Sequence, residues 1–147
     1  MLRLATKADV GDCLRMAKSF HSQSPYSAQE FSEEKCRNIF DQYLQDGGKN
    51  LIFIIAVDPT PYGMIIGMKG ELPFSRAVVC TEIAWWVDED KRGTKDSILL
   101  FKAFEEWGRR VGGDISAVAM LDGVTDLSTF YERQGYRAAE KTHFKEI

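Results

Sequence analysis

The chain lacks any apolar run near the ~18 residues of a membrane span, so no segment is expected to cross a bilayer. Cysteine is scarce and unpatterned: Cys13, Cys36 and Cys80 are an odd set without CxxC spacing. That excludes a disulfide frame or a zinc site as the organising principle and fits reduced thiols. Excess basic charge is missing too, since the net charge of -3 gives no bulk attraction to nucleic acid, although a local basic patch can still hold a small anion. The opening MLRLATKAD turns polar within a few residues, which argues against a secretory leader and for a cytoplasmic protein. Repeats, low-complexity tracts and linkers are absent. With 147 residues, 44% apolar and 28% charged, the expectation is one globular domain over residues 1–147 with a substantial core.

What is present centres on residues 78–104, VVCTEIAWWVDEDKRGTKDSILLFKAF. A β-branched and aromatic strand runs into a short charged turn and then a helix whose first turn is RGTKDS. Such a join directs unpaired amides and the positive end of a helix dipole at one spot, which is an anion site. A nucleotide loop of the GxxxxGK[ST] kind does not fit, because Gly93-Thr94-Lys95 lacks the upstream glycine and the following Ser/Thr.

From the N-terminus, Leu2 to Leu4 reads as a short strand, and Thr6 with Asp9 as a capping box opening a helix at Lys7. Its buried stripe is Val10, Cys13, Leu14, Ala17 and Phe20. A second helix follows Ser32, carries Cys36, Ile39, Phe40, Tyr43 and Leu44 on one face, and stops at Gly47 and Gly48. The polar connection from His21 to Phe31 is free to line a cleft. Leu51 to Val57 is a central strand apolar on both faces, and Gly63 to Leu72 is its return strand. In the next strand strict alternation puts Val79, Thr81, Ile83, Trp85 and Val87 on one face and Val78, Cys80, Glu82, Ala84 and Trp86 on the other. Glu82 is the only ionised side chain from Ala77 to Val87. A helix to Gly112, a strand from Asp114 to Met120, a short helix capped by Thr125 or Asp126, and a last strand or strand pair from Tyr136 to Ile147 complete the order. The fold class is therefore α/β (α+β): a mixed, mostly antiparallel sheet with helices on both faces, ordered β-α-α-β-β-β-α-β-α-β.

That order, WWVDEDKRG leading into a helix, and FYERQGY near the C-terminus together resemble the GNAT superfamily of acyl-CoA-dependent N-acetyltransferases over almost the whole chain. The family's phosphate motif, Gln or Arg, two residues, Gly, one residue, Gly or Ala, begins here at Arg92. The resemblance implies acetyl-CoA as cosubstrate without a metal, its pyrophosphate on Arg92, Gly93, Thr94, Lys95, Asp96 and Ser97, and its pantetheine arm along Trp85, Trp86 and Val87. Lys95 departs from the family's glycine and narrows the path past the pyrophosphate. Asp96 sets a negative charge beside an anionic ligand, and Ser97 stands where a second small residue is usual.

Tyr131, three residues, then Gly135 and an aromatic matches the family's last helix, where the tyrosine protonates the departing thiolate. A phenol of pKa about 10 keeps its proton at neutral pH. The alternative is a tyrosine that packs under the sheet. Glu82 matches a catalytic glutamate of several members and is the expected base, unless a bulge rotates it away or a neighbouring Arg or Lys satisfies it. His143 and the group Glu30, Glu33 and Glu34 are secondary candidates, and His21 reads as a helix-end residue. The resemblance thus implies acetyl transfer to a primary amine by direct attack in a ternary complex. The alternative is a non-catalytic acyl-CoA-binding or interaction domain of the same fold. The acceptor, chosen by residues 21–44 and the C-terminal strands, is open, as is a homodimer.

Overall fold

A computed structural model describes all of residues 1–147. Five strands, β1 (Leu2–Leu4), β2 (Leu51–Val57), β3 (Pro61–Glu71), β4 (Val78–Val87) and β5 (Ile115–Ala117), form one sheet in sequence order. The first three pairings are antiparallel, whereas β4 and β5 are parallel, because α3 (Lys95–Arg110) carries the chain back between them. Helices α1 (Val10–Gln23) and α2 (Glu33–Asp46) cover one face, and α3 covers the other.

The helix boundaries follow their capping chemistry. The Ser32 hydroxyl accepts from the Lys35 amide at 3.2 Å to start α2. Ahead of α1, a single 3-10 turn spans Lys7–Asp9. The Asp9 carboxylate accepts from the Thr6 amide at 2.8 Å and grips Arg3 of β1 with both oxygens, at 2.7 and 2.9 Å. The Arg3 guanidinium holds the Asp9 carboxyl down at about 2.

Each face of the sheet has its own core. Under α1 and α2 lie Cys13, Met16, Phe40, Phe53, Ile55, Met64 and Trp86. Under α3 lie Ile52, Ile65, Cys80, Leu100, Phe104 and Trp107. Central strands buried on both faces explain the unbroken apolar run Leu51–Val57. Gly67 marks a close approach: a Cβ there would stand 2.5 Å from Cε2 of Phe104. Only glycine lets α3 lie this close to β3.

Three expectations are corrected. Residues Tyr136 to Ile147 form no strand. The tail is instead pinned by Phe144 against Tyr26 in the α1–α2 connection, with ring centroids 5.0 Å apart. Nothing in RAAEKTHFKEI presents the apolar face a strand would bury. Strict alternation along β4 also fails beyond Glu82. Ile66 pairs with Ala84 and Gly67 with Glu82, so Ile83 is an extra, bulged residue. Glu82 therefore stays on the α3 side with Cys80, while Ala84 and Trp86 join the α1–α2 core. The strand predicted from Asp114 to Met120 is paired over Ile115–Ala117 alone.

Candidate active site

Strand β5 pairs with β4 only from Val79 to Thr81. Beyond Thr81 the two strands part, so Glu82 to Val87 has no neighbour on that side. This open stretch runs roughly 16 Å at about 3.3 Å per residue. A cavity of about 270 Å³ occupies the gap. At one end it is walled by Arg92, Gly93 and Ser97, and at the other by Glu82, Ile83, Ala119 and Tyr131.

The first end is the turn between β4 and α3. The amides of Gly93, Thr94, Lys95 and Asp96 donate to no acceptor in the protein, as the start of a helix requires. Gly93 takes the left-handed conformation (φ +74) that turns the chain into Thr94, the residue preceding the helix. Arg92 donates from Nε to the Val87 carbonyl at 2.8 Å, and its guanidinium lies 4.6 Å from the Trp86 ring centroid. Those contacts fix the side chain and leave its outer nitrogens free. Lys95 is exposed, and its amide remains available.

The flanking acid is turned aside, because the Asp96 carboxylate accepts from the Tyr62 hydroxyl of β3. Ser97 offers no donor. Its hydroxyl donates to the Thr94 carbonyl at 2.7 Å and its amide to the same oxygen at 3.2 Å. It lines the cavity with both donors turned to the Thr94 carbonyl, and the sequence motif does not reveal this.

At the other end, Glu82 is 9% exposed and makes no ion pair with any Lys or Arg. Its Oε2 accepts from the Ala119 amide at 3.3 Å. Burial raises its carboxyl to about 7, against the smaller opposing effect of the Ala119 amide. Tyr131 donates from its hydroxyl to the Ala119 carbonyl at 2.7 Å. Burial, followed by the charge of Glu82, pushes its phenol well above the usual range, so it stays protonated. Of the pantetheine candidates, Trp85 packs between Phe101 and Phe130 at 5.4 and 5.9 Å, with a buried indole N–H that has no partner. Trp86 and Val87 also line the gap.

The secondary candidates lie elsewhere. His21, His143, Glu30, Glu33 and Glu34 do not reach the cavity. The Nε2 of His21 is 2.5 Å from the Gln29 carbonyl, and Glu33 pairs with Arg37. Two features escaped sequence reasoning. One is the backbone of Ala119, which joins Glu82 to Tyr131. The other is Asp88, the residue after β4, whose carboxylate accepts from Arg15 of α1 at 2.8 and 3.0 Å and from the Trp86 indole at 3.0 Å. The signal for that pairing was a cation set among apolar residues of α1 and an acid at a strand end.

No metal-type cluster of three or more His, Cys, Asp or Glu side chains occurs, and no helix is long and apolar enough to cross a membrane. The five-stranded, mostly antiparallel sheet with helices on both faces is a fold shared with solved acetyltransferases. Three solved structures share it. An acetyltransferase of Trypanosoma brucei superposes with a TM-score of 0.74 at 18% identity, over 100% of this chain and 99% of that one. The aminoglycoside 6'-N-acetyltransferase AAC(6')-IG of Acinetobacter haemolyticus gives 0.76 at 17%, over 100% and 97%. AAC(6')-Iy in complex with the bisubstrate analog CoA-S-monomethyl-acetylneamine gives 0.79 at 15%, over 100% and 97%. No family model matches the chain, and no curated protein does.

Proposed function

We propose that this protein is an acetyl-CoA-dependent N-acetyltransferase, acting as one domain in the cytoplasm and transferring an acetyl group to a primary amine by direct attack. One observation carries the reading: four free amides and Arg92 stand at one end of a cleft whose other end holds Glu82 and Tyr131. The separation along β4, roughly 16 Å, suits an extended pantetheine arm lying in the place of a missing strand.

In this reading the amides of Gly93 to Asp96 and the outer nitrogens of Arg92 bind the pyrophosphate. The backbone of Trp85 to Val87 guides the arm, and the thioester lies beside the bulge. Glu82, titrating near 7, accepts a proton from the amine, directly or through water. The amine nitrogen forms a bond to the acetyl carbon, the carbon–sulfur bond breaks, and the sulfur takes the Tyr131 proton to leave as a thiol. Glu82 and Tyr131 are both held by the backbone of Ala119, and the proton taken up by Glu82 returns to the Tyr131 phenolate through water, which closes the cycle. Support for the reading also comes from the acetyltransferase names of structures with this fold.

Thiol release from acetyl-CoA with a panel of amines, alongside calorimetric titration of coenzyme A, tests it. Amine-dependent release is the expected result. Binding without release on any amine would favour a non-catalytic acyl-CoA-binding domain, and no binding would remove the proposal.

A further inference from the structure

Glu105 of α3 is buried, at 8% exposure, and does not line the cleft. The Tyr136 hydroxyl donates to its Oε1 at 3.0 Å, while Lys102 and Arg109 of its own helix stand 3.4 and 3.9 Å from its Oε2. The Tyr136 oxygen also lies 2.7 Å from the hydroxyl of Ser116 on β5. A phenol has one hydrogen and the carboxylate none, so the order is fixed: Ser116 donates to Tyr136, and Tyr136 donates to Glu105. Burial holds the Tyr136 phenol up at about 12, which keeps that hydrogen in place.

Both ends of this chain bear on the proposed acid and base. Ser116 pairs with Cys80 just before the last pair, Thr81 with Ala117, beyond which the strands part toward Ala119. It is the only polar side chain of β5, so this bond is the strand's one side-chain tie to α3. Tyr136 follows α4 (Ser128–Arg133), its amide donating to the Tyr131 carbonyl at 3.0 Å and its ring 5.8 Å from that of Tyr131. Lys102 reaches the end of the same helix through the Gln134 side chain.

We propose that Glu105 is a positioning residue: through Tyr136 and Ser116 it fixes where β5 leaves β4, and so holds Ala119 against Glu82 and Tyr131. This rests on the acetyltransferase reading above, although the placement of Glu82 is measurable without substrate. The groups that bond or face Glu82 are the Ala119 amide and the Tyr131 phenol. Releasing the segment after β5 admits water to Glu82 and removes part of the burial that raises its carboxyl.

The experiment follows Glu82 ionisation by carboxyl carbon-13 NMR in the full chain and in Tyr136→Phe, Ser116→Ala, Glu105→Ala and Glu105→Gln. Thiol release from acetyl-CoA is measured in parallel with ethanolamine, spermidine and 2-phenylethylamine. Tyr136→Phe and Ser116→Ala break the chain without changing any charge, and the Gln variant removes the charge but keeps an acceptor for Tyr136. The first two and Glu105→Ala should lower the Glu82 midpoint by about half a pH unit or more and kcat by about tenfold or more, with KM for acetyl-CoA within about twofold because the phosphate turn is untouched. Glu105→Gln should restore both midpoint and kcat. An unmoved midpoint in Tyr136→Phe, or in Ser116→Ala should the former not fold, overturns the inference and reduces the chain to a stability contact. An equal shift in Glu105→Gln also overturns it, since charge would then be the cause. No thiol release from the parent with any amine counts against the acetyltransferase reading, and the midpoint still decides whether Glu105 places Glu82.

Discussion

Glu82 and Tyr131 meet the same residue from two sides: the Ala119 amide donates to the carboxylate at 3.3 Å, and the Ala119 carbonyl accepts from the phenol at 2.7 Å. The acid and the base of the proposed reaction thus share one backbone residue on the segment after β5. Moving that segment moves both, which makes their separation a property of the backbone.

Tyr131→Phe should lower kcat by about a hundredfold or more, the usual contribution of a positioned acid, while coenzyme A affinity stays within a few-fold of the parent. Steady-state kinetics with calorimetry checks this. Unchanged kcat would return Tyr131 to a packing role beside Phe101.

Glu82 gives a pH signature with a definite sign. Its carboxyl ionises at about 7 in the folded protein against 4.5 as the ordinary value. Below 4.5 both states are protonated and the group is neutral to stability. As pH rises toward 7 the unfolded chain ionises first, so the folded state loses up to ~3 kcal/mol, and above 7 the loss is constant. Glu82→Gln should flatten this part of the stability curve between pH 5 and 7, read by denaturant titration across pH. In the parent, kcat/KM should rise with pH through about 7, because the base must be ionised to work.

Arg92→Ala should weaken coenzyme A binding by about tenfold, in a salt-dependent way, by removing a charge-assisted phosphate contact. Lys95→Ala should change it far less, since the exposed side chain is not what closes the loop and the amide is retained. Calorimetry at two salt concentrations separates the two.

Asp88→Asn should raise KM for acetyl-CoA and lower stability by about 1–2 kcal/mol, because Asp88 links α1 to the start of the phosphate turn through a half-exposed, charge-assisted pair. An unchanged KM with a lowered melting temperature would confine Asp88 to stability.

Gly67→Ala should cost about 1–3 kcal/mol and lower the melting temperature by roughly 3–10 °C. Phe104, fully buried, has nowhere to move from the added methyl. Thermal unfolding followed by circular dichroism is sufficient.

Much of this architecture was legible in the residues. Helical spacing from Val10 to Phe20 and from Cys36 to Leu44 located two helices, and the apolar run Leu51–Val57 located the central strand, because burial and periodicity coincide there. Elements decided by distant partners were not legible. The bulge at Ile83 depends on how Gly67 lies under Phe104, a contact 37 residues away in sequence. The tail from Tyr136 lacks any local pattern, and its contacts are distant ones: Tyr136 bonds Ser116 and Glu105, and Phe144 packs against Tyr26. In the candidate site, Glu82, Arg92 and Tyr131 could be named from motif spacing. The inward turn of Ser97 and Asp96 could not, since hydroxyl and carboxylate partners are chosen by the fold.

The two rims of the sheet, β1 and β5, are each only 3 residues long, against 7, 11 and 10 for the strands between them. A second molecule approaching β1 or β5 themselves finds a backbone template of only 3 residues, so the one long open edge on the β5 side is Glu82 to Val87 of β4, inside the cleft. Strand pairing by another chain is thereby confined to the cleft itself, and whatever fills the cleft closes the sheet's last usable edge.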